Sequence, residues 1–396
     1  MGEPDRRLSR RAFGVAAAGK LTGRRFLFLY PGESRRQRLD ALDSGTVPRE
    51  FFYGYLALRD AGYDCAIADT RTDPVGAVNR LLLRFEILRS MAANFGVSRQ
   101  RVEALAGAFA ESDVAISFTD GFSIGMGLWA RRLAPRARLV GGFHGLADSV
   151  DRAKPWAQPI VRRQIERGLA GLDHLFFFGE PDRLRTLEMY PSIDPASTSV
   201  FPFGIDTDFW TPALDGADDP VVFAAGSDPQ RDYATLAAAP TRADLRILTR
   251  LDVPPRATGH VELIRGSWHN AAVTDMALRE LYRRARVVTV PLRDVWQPSG
   301  YSVTLQAMAC GKPVVLSGIR GLWDPGVLKS GHDCIIVPPG DPAALGAAID
   351  ALMADEALRT RIGAAARQTA LERFPLARMN RAILDLGSRF SARLAS

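Results

Sequence analysis

From Arg25 onward the chain repeats one pattern: a short apolar run, a longer amphipathic stretch, then another apolar run. Runs such as Phe26-Leu27-Phe28-Leu29-Tyr30 show no apolar–polar alternation. Strands of this kind are buried on both faces, as in parallel sheets covered by helices, so the pattern predicts an α/β fold. In the first half it predicts strands at 26–30, 65–69, 114–118, 138–143 and 174–178. Helices are expected around 49–61, 101–110, 125–132, 160–170 and 181–190. A polar, turn-rich stretch follows residues 200–203 and contains Asp215-Gly216-Ala217-Asp218-Asp219-Pro220, which suits a boundary. A second series then predicts strands at 221–225, 245–248, 261–264, 287–291, 313–316 and 334–337. Its helices are expected near 233–238, 275–284, 302–309, 342–353 and 356–374.

The length supports this division, since 396 residues exceed the ~250–300 at which a single core stops growing. We divide the chain into a basic tail (1–24), a first doubly wound domain (25–205), a linker (206–220), a second doubly wound domain (221–374) and a final helical segment (375–396). Two such sheets facing one another leave a cleft at the carboxyl ends of their strands, where ligands of this architecture bind.

Charge narrows the partners. Lys plus Arg exceed Asp plus Glu by 51 to 44, a net charge of +7 that favours anionic ligands. Only four of the cations are lysines (Lys20, Lys154, Lys312 and Lys329), and no long basic run marks a nucleic-acid tail, so no nucleic-acid partner is expected. Cys65, Cys310 and Cys334 are odd in number, far apart and without ligand spacing, which argues against a disulfide framework or a zinc site and fits a cytoplasmic protein. No apolar run reaches the ~20 residues of a membrane span. Ser9-Arg10-Arg11-Ala12-Phe13-Gly14 looks like a twin-arginine signal, but the apolar stretch after it is shorter than the ~7–15 residues of an export segment. A basic tail is the simpler reading, with peripheral contact to an acidic inner-membrane face as the alternative.

The most informative stretch runs from Gln297-Pro298-Ser299-Gly300-Tyr301-Ser302-Val303 through Gln306 to Ala307-Met308-Ala309-Cys310-Gly311-Lys312-Pro313-Val314-Val315. A Ser/Gly turn opening a helix presents free N–H groups and the positive end of the helix dipole, which suit a phosphate or diphosphate. Ser299 and Ser302 can add hydroxyl donors, although an ordinary helix cap reads the same way. The whole string resembles the donor-sugar motif of the retaining GT-B glycosyltransferases, family four in particular, in which a Glu-x7-Glu pattern runs into Ala-Met-Ala-x-Gly-x-Pro-Val-Val. The resemblance implies two Rossmann-like domains facing a cleft, the second holding a UDP- or GDP-sugar and the first a glycan, lipid-linked or small-molecule acceptor. It further implies a final helix that crosses back to the first domain, a place in envelope or polysaccharide synthesis, and no cofactor or metal.

The chain departs from that motif at both carboxylates, with Pro298 and Gln306 in their places. Gln306 can still donate and accept hydrogen bonds at the nucleotide ribose. Asp294 is a local candidate for the missing sugar contact, with a salt-bridge role as its alternative. The loop Gly226-Ser227-Asp228-Pro229-Gln230-Arg231 resembles the family's Gly-Arg…Lys-Gly diphosphate loop, Arg231 standing at the Lys and Ser227 at the Arg. The resemblance thus implies donor contacts at Gly226, Ser227, Arg231, Ser299, Gly300, Tyr301, Ser302, Val303 and Gln306. His144, after the run Val140-Gly141-Gly142-Phe143, matches a strand-end histidine that touches the donor sugar, and with Arg231 it forms the expected catalytic pair. Gly32, in Pro31-Gly32-Glu33, and Asp120 are expected on the acceptor side of the cleft. The loss of both carboxylates leaves one alternative, a degenerate nucleotide-sugar-binding scaffold.

Three further features read as structural. Asp206-Thr207-Asp208 has metal-motif spacing but sits in what resembles the family's interdomain linker. Gly125-Met126-Gly127-Leu128-Trp129-Ala130 fits a dinucleotide fingerprint but starts too far after its strand, so helix packing explains it better. Met308, Trp323 and Phe176 to Phe178 are expected in the core or at its boundary.

Overall fold

The computed structural model describes residues 24–32, 34–214, 218–266, 273–324 and 326–393. All of the tail except Arg24 therefore lies outside the described residues, as do Glu33 and 215–217 of the linker.

Two six-stranded, all-parallel sheets form the fold. The first contains β1 (Arg25–Tyr30), β2 (Asp64–Asp69), β3 (Val114–Ser117), β4 (Arg138–Phe143), β5 (His174–Phe177) and β6 (Thr198–Val200), in the order β2-β1-β3-β4-β5-β6. The second contains β7 (Asp219–Ala225), β8 (Asp244–Thr249), β9 (Val261–Arg265), β10 (Ala285–Val290), β11 (Val314–Ser317) and β12 (Ile335–Val337), in the order β12-β11-β10-β7-β8-β9. The strand order of the second sheet reverses between β7 and β10. The loops after these two strands diverge there and open the crevice in which ligands of doubly wound sheets sit.

The aromatic residues explain why the units pack closely. One apolar cluster runs from Phe28, Phe118 and Phe176 through Phe203 to Tyr301, Trp323 and Phe374, joining both sheets. Each fully buried ring of this size contributes about 1.5–3 kcal/mol relative to exposure. Helix Leu376–Arg393 adds Met379, Ile383, Leu386 and Phe390 to the same cluster. It packs on helix Tyr55–Asp60 so closely that a Cβ on Gly54 would lie 2.2 Å from Ile383 Cγ2.

Several helices depart from expectation, two of them in ways that bear on the site and its surroundings. The helix expected at 125–132 is Asp120–Leu133 and begins directly after the β3 loop. Gly125 and Gly127 are therefore interior positions, and a Cβ on Gly127 would lie 1.9 Å from the Gly168 carbonyl, so Gly127 serves close helix packing. Helix Ala77–Ala93 is not anticipated by the apolar pattern. Its apolar residues fall on several sides, and of its 17 residues only Leu83 and Ala93 are buried, so no single core-facing stripe marks it.

Candidate active site

The β7 and β10 loops are stitched together by their backbones. Asp232 N–H donates to Pro291 O and Arg293 N–H to Gln230 O, both at 2.9 Å. This pairing carries Arg231 under the β10 loop, where its side chain is only 6% exposed. Among the described residues, Arg231 Nε and Nη1 have no hydrogen-bond partner. Two glycines make room for the guanidinium. A Cβ on Gly226 (φ +137°) would lie 2.1 Å from Arg231 Nε, and one on Gly300 (φ +80°) would lie 3.1 Å from Nη1. A buried cation without a carboxylate partner is costly, and an anion in the cleft would relieve that cost.

Gly300 is also the left-handed N-cap of helix Tyr301–Ala309, which starts one residue earlier than expected. The first N–H groups of a helix lack partners within it, so the helix presents its positive end beside Arg231. Asp228 fixes the approach to this end, because Ser299 Oγ and Gln297 Nε2 both donate to its Oδ2 at 2.8 Å.

These groups line one cavity of about 410 Å3 between the two sheets. Gly226, Ser227, Arg231, Ser299, Gly300, Tyr301, Ser302, Val303, Gln306 and His144 all face it. Ser227 Oγ is engaged with backbone, accepting from Arg250 N at 3.0 Å. Gln306 Oε1 accepts from Tyr282 Oη at 3.0 Å, and the same amide lies near the buried Glu50 carboxyl, whose pKa it helps to lower. A glutamate at 306 would place a second carboxylate against Glu50, so the amide suits this setting.

His144 stacks on Phe178 with ring centres 4.0 Å apart. Its Nε2 lies 3.0 Å from the Phe118 carbonyl, which can only accept, so Nε2 carries the hydrogen and Nδ1 the lone pair. Burial pulls the imidazole pKa down, partly offset by Asp120, and this favours the neutral ring. Phe178 is buried in the apolar core, as expected, and its ring also forms part of the cavity wall.

Asp120 lies in an adjoining cavity of about 390 Å3, where its Oδ1 accepts His144 N–H at 2.7 Å. Gly32 lines neither cavity. Its amide donates to Asp69 Oδ1 at 2.6 Å, and its φ of +78° favours glycine there. Asp294 pairs with Arg320 at 3.0 Å and is absent from the cavity wall, which leaves it the salt-bridge role. Asp206 uses both oxygens on backbone N–H groups, at Arg49 and at Asp208 and Phe209, and so shapes the linker turn. Among the described residues no three His, Cys, Asp or Glu side chains converge as a metal site.

Several wall residues carry no sequence motif. Tyr53 and Arg35 come from the first unit, with the Arg35 guanidinium 4.4 Å from the Tyr30 ring centre. Asp148 and Arg152 cross the cleft to Gln297. Trp296 and Gln297 N–H groups donate to Asp148 at 3.1 and 2.7 Å, and Arg152 Nη1 donates to Gln297 Oε1 at 2.7 Å.

The family model for glycosyl transferases group 1 matches residues 245–355, which contain β8 to β12 and the helix carrying the donor-type motif. That region of the chain is similar to the group 1 glycosyl transferases. Among curated relatives, the alpha-maltose-1-phosphate synthase of Mycobacterium tuberculosis is 32% identical over 232 residues, half of this chain and 59% of that protein. The D-inositol 3-phosphate glycosyltransferase of Geodermatophilus obscurus is 33% identical over 257 residues, 57% of this chain and 55% of its own length. The chain thus spans less than two thirds of these relatives. Two solved structures share its fold across nearly the whole chain. Sucrose-phosphate synthase from Thermosynechococcus elongatus superposes with a TM-score of 0.70 at 19% identity, covering 94% of this chain and 100% of its own. Anabaena HepE in complex with UDP-glucose superposes with a TM-score of 0.61 at 15% identity, covering 93% and 100%.

Proposed function

We propose that the protein transfers a sugar from a nucleoside-diphosphate donor to a glycan, lipid-linked or small phosphorylated acceptor, with retention at the anomeric carbon. The observation that carries this reading is Arg231, a buried guanidinium seated between two glycines at the start of helix Tyr301–Ala309. The HepE complex holds UDP-glucose, and the curated relatives are an alpha-maltose-1-phosphate synthase and a D-inositol 3-phosphate glycosyltransferase, which supports a nucleotide-sugar donor.

In this mechanism the bond from the anomeric carbon to the diphosphate breaks and its electron pair leaves with the phosphate. The sugar becomes oxocarbenium-like, and the acceptor hydroxyl adds to it while passing its proton to the departing phosphate oxygen. Arg231 and the free N–H groups at Ser302 and Val303 neutralise the leaving group, and no metal is assigned a role. Preorganised donors of this kind contribute about 3–4 kcal/mol each. Neutral His144 meets the sugar from the first unit, and Gln306 takes the ribose. The setting we infer is envelope or polysaccharide synthesis on the cytoplasmic side.

Incubation with UDP- and GDP-hexoses, with mass detection of sugar release or transfer, tests the reading. Turnover supports it, and NMR of the product anomer decides retention. Pro298 and Gln306 favour a second reading, a nucleotide-sugar-binding scaffold. Nucleotide binding with no turnover of any donor would select the scaffold.

A further inference from the structure

Helix Ala77–Ala93 exposes more large apolar side chains than any other described element. Val78, Leu81, Phe85 and Leu88 follow the i, i+3, i+7, i+10 spacing of one helical stripe, and each is between 52% and 71% exposed. Leu83, Glu86, Ser90 and Ala93 occupy the opposite side, toward the body of the protein. Arg84 and Arg89 border the apolar stripe on its two sides, with Arg80 beyond Arg84, and all three are exposed. The helix has a single carboxylate, Glu86, which is turned inward and accepts from Ser98 Oγ at 2.6 Å.

A second exposed segment adjoins the C-terminal end of the helix. Lys154 N–H donates to the Ala93 carbonyl at 2.9 Å, and Asn94 Nδ2 donates to Arg152 O at 2.7 Å, which ties the loop after Arg152 to the helix C-terminus. That loop carries Trp156, 61% exposed, and leads to Ile160, 57% exposed, with Lys154 and Arg163 exposed nearby.

We propose that this face, helix Ala77–Ala93 with Trp156 and Ile160, docks on the surface of a bilayer carrying anionic headgroups. An apolar stripe edged by arginines is the pattern of a helix lying in the membrane interface, with its apolar side about 5–10 Å into the headgroup boundary. Tryptophan suits the same depth, with an apolar ring and a polar N–H. Charge selects this occupant over a second copy of the chain, because self-pairing through the stripe would set arginine against arginine with no outward carboxylate on the helix to answer. Lipid phosphates do answer it. At 17 residues the helix is about 25 Å long, enough to seat the protein on the surface. Asn94, Phe95 and Gly96, directly after the helix, line the cavity that holds Asp120 and Gln297, so the docked face adjoins the cleft.

This inference goes beyond the transferase reading and does not rest on it. The test is flotation of the full chain, without nucleotide or acceptor, on phosphatidylcholine–phosphatidylglycerol vesicles and on pure phosphatidylcholine vesicles. The wild type is expected to prefer the acidic vesicles. The triple variants Leu81→Ser/Phe85→Ser/Leu88→Ser and Arg80→Gln/Arg84→Gln/Arg89→Gln should each weaken binding about tenfold or more. All six positions are exposed, and circular dichroism verifies that the variants fold. The proposal is overturned if the wild type ignores acidic vesicles. Wild-type-like binding by both variants overturns it too, as does a wild-type dimer that the apolar variant dissociates.

Discussion

Gln297 and Asp228 are joined by a 2.8 Å hydrogen bond, and Gln297 is also where the first unit grips the second. Its backbone N–H reaches Asp148, its amide oxygen accepts from Arg152, and its amide nitrogen meets Asp228 beside Ser299. The loop that opens helix Tyr301–Ala309 is therefore held by both halves of the cleft. Asp228→Ala releases Gln297 and Ser299 together. Hydrogen bonds to a charged group contribute about 1.5–3 kcal/mol each, so donor turnover should fall by about tenfold or more. Steady-state kinetics with a melting curve as control check this, and unchanged turnover would show that the loop holds itself.

Arg231→Ala should lower turnover by about 10²-fold or more, the cost of losing one preorganised donor at a developing charge. Arg231→Lys should retain part of it, since the charge remains while the bidentate geometry is lost. Wild-type-like turnover in the alanine variant would remove Arg231 from the mechanism.

His144→Ala should impair use of the sugar while leaving affinity for the bare nucleotide intact, because the imidazole faces the cleft from the first unit. Calorimetric titration with UDP or GDP separates the two effects. Loss of nucleotide binding in this variant would contradict the assignment.

Glu50 predicts a pH dependence of stability. Burial, reinforced by the neighbouring Asp206 and opposed by the Trp210 hydrogen bond, pushes its carboxyl up from 4.5 to about 8. Between these values the folded protein keeps a proton that the unfolded chain has released, so this group's contribution is complete below about 4.5 and is lost as pH rises toward 8. Glu50→Gln preserves an acceptor for Trp210 Nε1 and removes the titration. Melting temperatures of the two proteins should diverge from pH 5 to pH 8.5 in favour of the variant, by about 2–4 °C for each kcal/mol involved. Parallel curves would show that Glu50 is ionised in the fold.

What was legible in the sequence follows from locality. The stretch from Gln297 to Val315 holds a loop, a helix and a strand in one contiguous piece, so its residues could be read as a phosphate-type site before their geometry was known. His144 was legible because it ends an apolar run. The bridge from Asp148 and Arg152 to Gln297 was not, since it joins residues about 145–149 positions apart through two folded sheets. Tyr53 and Arg35 were hidden for the same reason. Helix Ala77–Ala93 escaped because the apolar pattern finds helices by the face they bury, and this helix turns its main apolar stripe outward.

The most direct test of the donor site is a thermal-shift titration of UDP, GDP, ADP and TDP against the wild type and Arg231→Ala. The account predicts that one diphosphate, at about 100-fold over its Kd, stabilises the wild type by about 2.7 kcal/mol and the variant far less. Stabilisation by none of the four, or equal stabilisation of both proteins, would contradict it.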